Sequence, residues 1–124
     1  MGSESVDVLT ALKRLVDDYE EILDFAKAIP YTSDRKLITS FIQRLADAVE
    51  RTGRLEAEYR AADVRDPTMS RYIHTYYTYL TAVSIPYLKD LLSDAVLELE
   101  KKGLVEESAS IRRLLEKISS MRLP

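Results

Sequence analysis

The chain of 124 residues has no cysteine, no asparagine and no tryptophan, only one histidine (His74), one glutamine (Gln43), three glycines and four prolines. Without cysteine there is no disulfide and no thiol nucleophile. A single imidazole cannot by itself build a zinc site, which draws on three or four nitrogen, sulfur or carboxylate ligands. The three glycines stand apart, so no glycine-rich loop can cradle phosphate, and no serine has a usable histidine beside it for nucleophilic catalysis. No cofactor is therefore expected. No apolar run approaches the ~18 residues of a membrane span. The stretch MGSESVDVLTALKRL lacks the basic, apolar and small-residue segments of a secretory signal. The expected location is the cytoplasm. Loss of residues that oxidise or deamidate, beside abundant Arg, Glu and Asp, points to a thermophilic, archaeal-like source.

What is present is helical periodicity. From Val6 to Ile29 the residues Leu9, Leu12, Val16, Tyr19, Leu23 and Ala26 recur at alternating three and four, which predicts an amphipathic helix ended by Pro30. Thr32 or Ser33 is expected to cap a second helix, from about Asp34 to Val64, on the stripe Ile38, Phe41, Leu45, Ala48, Thr52, Leu55, Tyr59 and Ala62. Asp66-Pro67 reads as a cap followed by proline in the first turn, where its missing N–H costs nothing. A third helix then runs to KKG, with Gly103 as the left-handed stop, and a fourth runs from about Val105 to Met121. Short connections between long helices predict an all-α, up-and-down antiparallel four-helix bundle, a single domain over residues 1–124. Pro86 interrupts the third helix. Tyr72, Ile73, Tyr76, Leu80 and Val83 share one face before it. Leu88, Leu91, Leu92, Ala95 and Leu99 share a face rotated by roughly a quarter turn. Either a kink or a full break at Pro86 produces that change of direction.

The third helix carries the most informative stretch. YIHTYYTYLTAVSIPYL, residues 72–88, holds five of the eight tyrosines and not one Asp, Glu, Lys or Arg, although 31% of the chain is charged. A helix at the edge of a bundle ordinarily turns a charged face to water. Apolar bodies tipped with hydroxyls suit a surface covered by another protein chain. Tyr72, His74, Tyr77, Thr78, Thr81 and Ile85 are the candidate interface residues, with a homodimer through residues 72–88 as the expected assembly and an unidentified protein partner as the other occupant.

Two other functions compete with a non-enzymatic interaction or scaffold role. Asp17, Glu20, Glu21 and Asp24 form an acidic stripe on the first helix. Glu21-x-x-Asp24 resembles half of the paired carboxylate motif of all-helical nucleotide pyrophosphohydrolases, which implies a metal-dependent hydrolase if carboxylates such as Asp94 and Glu98 face it. The companion Glu-x-x-Glu is missing. Arg44, Arg51 and Arg54 suggest a nucleic-acid accessory role, but Asp47, Glu50 and Glu56 interrupt them, and nucleic acid needs a clustered basic face. Residues 1–34 carry eight acids and three bases, and residues 35–71 eight bases and six acids. The result is a weak dipole along the chain.

Overall fold

A computed structural model describes residues 2–61 and 65–121, and among these residues all regular structure is helical. α1 (Gly2–Ala28) passes into a short 3-10 turn (Ile29–Tyr31) whose second residue is Pro30. α2 (Arg35–Ala61) follows. Its cap is Asp34, whose carboxylate accepts from the backbone N–H of Lys36 at 3.0 Å and of Leu37 at 3.4 Å. Thr32, one of the two residues expected in that role, accepts instead from the N–H of Asp34 at 3.1 Å. A carboxylate is the better acceptor for the positive end of the helix, which explains the displacement past Thr32 and Ser33 to Asp34.

α3 (Pro67–Tyr79), a π turn (Leu80–Ser84) and α4 (Ile85–Lys101) form one continuous long helix. Asp66 caps it through the N–H of Thr68 at 2.9 Å, with Pro67 in the first turn as expected. Its C-terminus closes as Gly103 takes φ +79°. There the N–H of Leu104 reaches the carbonyl of Leu99 at 2.9 Å and that of Gly103 reaches Glu100 at 3.0 Å. This pair of bonds is the Schellman arrangement, and Leu104 is buried beside it. α5 (Val105–Ser120) completes the bundle.

At Pro86 the helix is unbroken and carries a wide π turn, one of the recognised causes of a kink. Proline has no N–H to give the carbonyl four residues back, and its ring would clash there. One extra residue is accommodated instead, and the N–H of Ile85 reaches five residues back to the carbonyl of Leu80. The buried positions carry the same signature. Ile73, Tyr77, Leu80, Ser84, Leu88, Leu92, Ala95 and Leu99 are all buried, and the middle of that series advances by three successive fours. A regular helix cannot hold such a run on one face; a single wide turn restores it.

Consecutive rods alternate in direction. Tyr19, Glu21 and Phe25 of α1 meet Thr52, Arg44 and Phe41 of α2 in antiparallel order. Lys13, Glu20 and Lys27 of α1 meet Tyr76, Tyr79 and Tyr87 of the long helix in parallel order. α5 packs on α4 and on α2. The ring therefore runs α1, α2, α5, long helix, so α2 and the long helix, though consecutive, stand at opposite corners. α5 has 16 residues against 27 in α2, so the fourth corner is filled over only part of the length. Beyond it Tyr59 of α2 stacks on Tyr77 of α3, with ring centroids 4.0 Å apart and planes 7° from parallel.

One core runs through all the rods, with Leu12, Tyr19, Ile22, Ile29, Ile38, Phe41, Leu45, Leu88, Leu92, Leu99 and Ile111 essentially inaccessible. A hydroxyl chain in its interior is ordered by stoichiometry. Thr52 spends its proton on the carbonyl of Ala48 at 2.7 Å. The Tyr19 hydroxyl, 2.7 Å from Thr52 Oγ1, must then be the donor. Burial pushes the Tyr19 phenol up to about 12, against the smaller opposing pull of Thr52 and Arg51.

Candidate interaction surface

The outward side of the long helix differs from what periodicity alone suggests. Ile73, Tyr77, Leu80 and Ser84 face inward, and Val83 is 48% exposed. Tyr77 and Ile85, expected on the outward face, belong to the core of the chain itself. Tyr77 turns toward Tyr59, and Ile85 lies just past the π turn, which rotates the following residues relative to the preceding ones. Tyr72, His74 and Thr78 are exposed as expected. Thr81 is half-buried, and its hydroxyl donates to the carbonyl of Tyr77 at 2.9 Å. The interface candidates therefore do not form one face.

What the structure gathers instead is a shoulder beside α1. Among the described residues eight large apolar side chains are more than a third exposed, and five of them, Tyr72, Tyr79, Val83, Tyr87 and Leu97, lie on the long helix. Tyr31, the most exposed of all, lines an open groove of about 550 Å³ with Leu91, Asp94, Leu97 and Lys101 at the end of the same shoulder. The tyrosine rings are held from α1. Tyr79 donates to Glu20 at 2.9 Å, a bond that keeps its phenol protonated beyond the usual range, reinforced by the carboxylate charge. Lys13 and Lys27 stand 5.6 and 5.5 Å over the rings of Tyr76 and Tyr87, within reach of the ring quadrupole. Lys13, Glu20 and Lys27 are seven residues apart, one line on one helix face. That heptad spacing is the sequence signal by which the shoulder could have been found.

The acidic stripe disperses. Glu20 serves Tyr79, Glu21 pairs with Arg44, and Asp24 lies 3.6 Å from Lys27. Among the described residues no group of three or more histidine and carboxylate side chains is placed to hold a metal ion. Arg51 is taken up by Asp18 at 2.6 Å and Asp47 at 3.0 Å. Arg14 and Arg54 flank a smaller groove between α1 and α2 that also contains Glu58. Among the described residues no helix is long and apolar enough to cross a membrane. Comparison of the chain with family models, curated proteins and solved structures found no match.

Proposed function

We propose that the protein is a non-enzymatic interaction or scaffold protein that self-associates through the long helix. The observation that carries this reading is the concentration of exposed Tyr72, Tyr79, Val83, Tyr87 and Leu97 on one rod, the first four within a stretch without any Asp, Glu, Lys or Arg from Tyr72 to Leu88. Single exposed apolar residues are ordinary, whereas a line of them is a binding surface or an aggregation hazard. Tyrosine supplies broad contact area with little side-chain entropy to lose, and rings held by Glu20 and Lys27 lose less still.

Light scattering at micromolar concentration tests the reading. The wild type is expected at twice the chain mass. Val83→Arg, which inserts a charge into the middle of the stripe without touching the core, is expected to return the protein to one chain with its helical signal intact. A wild type that remains a single chain at high micromolar concentration overturns the proposal.

A further inference from the structure

Resting on that reading, the geometry points to a specific pairing: two copies meet across a two-fold axis that passes beside Val83, with their long helices antiparallel at a shallow angle. An isologous contact must be self-complementary, so each feature on one side of the axis must suit its mirror-numbered counterpart on the other. Tyr79 and Tyr87 stand four residues either side of Val83, both exposed, and would stack on each other's copies. Tyr76 and Asp90 stand seven either side, and Tyr72 and Asp94 eleven. Phenol hydroxyls meet carboxylates at both distances. Arg71 adjoins Tyr72, so its guanidinium reaches Asp94 of the second copy.

The charges on these residues are available. Among the described residues Arg71, Asp90 and Asp94 form no ion pair within their own chain. All three are exposed. Arg71 lies at one end of the uncharged stretch, and Lys89, Asp90 and Asp94, net negative, lie at the other, which favours an antiparallel arrangement and penalises a parallel one by setting like charges together. The stripe from Tyr72 to Leu97 is roughly 38 Å long at the helical rise. A specific contact takes about 800 Å² from each partner, so the α1 shoulder would contribute beside the stripe. A crossing of about 20° keeps the ends in reach; the steeper class of about 50° would separate Tyr72 from Asp94 of the other copy.

The absence of native cysteine makes the test clean. Val83→Cys, treated with a short bis-maleimide at micromolar concentration, is expected to give a covalent dimer in high yield. Tyr72→Cys alone is not, because its two copies would lie about 33 Å apart along the axis. A mixture of Tyr72→Cys and Asp94→Cys chains is expected to cross-link to each other. As an independent variant, Arg71→Glu should raise the dimer dissociation constant by about tenfold, and Arg71→Glu with Asp94→Arg should restore it. Efficient cross-linking of Tyr72→Cys to itself, or none at Val83→Cys while light scattering still finds a dimer, overturns the pairing and leaves self-association standing. A wild type that scatters as one chain overturns both.

Discussion

Tyr19 and Ser84 are two buried polar side chains with opposite circumstances. The Tyr19 hydroxyl is satisfied by Thr52 and its phenol is raised to about 12, whereas an unfolded chain ionises tyrosine near 10. The folded state therefore holds its proton more tightly. The resulting stability is fully present below pH 10 and is lost as pH rises from about 10 to about 12, by a total on the order of 2–3 kcal/mol. In Tyr19→Phe that loss should disappear, at a cost near neutral pH of about 1 kcal/mol for the severed hydrogen bond. Melting curves of both proteins between pH 8 and pH 11 check the crossing trend. Ser84 Oγ is buried and has no hydrogen-bond partner. Ser84→Ala removes an unmet polar group and adds helix propensity, so a gain of about 1 kcal/mol and a midpoint several degrees higher are expected. A lower midpoint would mean that the hydroxyl is satisfied by something bound there.

At the scale of the element, the π turn reconciles two demands on the long helix. Pro86 requires room at the preceding carbonyl, and the core requires Leu80, Ser84, Leu88 and Leu92 on one face. One inserted residue meets both. Deleting exposed Ala82 should remove the insertion and restore an ordinary three-and-four stripe, but it forces the proline into a regular helix at a cost of about 3 kcal/mol. Deletion of Ala82 combined with Pro86→Ala should recover most of that loss. Deletion of Glu50 in α2 has no such escape, since every later core residue of that helix would turn by about 100°. Circular dichroism melts of the three variants give the order: the double variant nearest the wild type, the Ala82 deletion lower, the Glu50 deletion unfolded or nearly so. Pro86→Ala alone should keep the π turn, because the core spacing still asks for it.

For the whole molecule, the dispersal of the acidic stripe among Tyr79, Arg44 and Lys27 separates the scaffold reading from a metal-dependent hydrolase. A ligand that binds only the folded state raises its stability in proportion to RT ln(1 + [L]/Kd). Millimolar Mg²⁺ or Mn²⁺ is accordingly expected to move the melting midpoint no more than Na⁺ at equal ionic strength. A metal-specific rise of many degrees would favour the hydrolase, and loss of that rise in Glu21→Ala would locate the site. The ion pairs α1 makes with α2 are both open to solvent, Glu21 with Arg44 about half exposed and Asp18 with Arg51 about one-third. Each is worth at most about 1 kcal/mol, so high salt should lower the midpoint only slightly.

By itself the sequence determined the elements. Alternating apolar residues, Asp66-Pro67 and KKG placed the helices and both ends of the long one, because capping and amphipathicity are local effects that each segment settles within a turn or two; the expected end of the second helix at Val64 lies outside the described residues. It also marked residues 72–88 as unusual and set the proline that disturbs the stripe. The tertiary structure decided what depends on two helices at once. Spacing put Tyr76 on the inward stripe and Tyr77 outside it; Tyr59, eighteen residues earlier, reverses this by stacking on Tyr77, which is buried. Likewise the parallel neighbourhood of α1 and the long helix, which sets Lys13, Glu20 and Lys27 against three tyrosines, depends on the order of the rods around the ring. Either ring order satisfies the same amphipathic faces, and only the packing of all four rods together selects one.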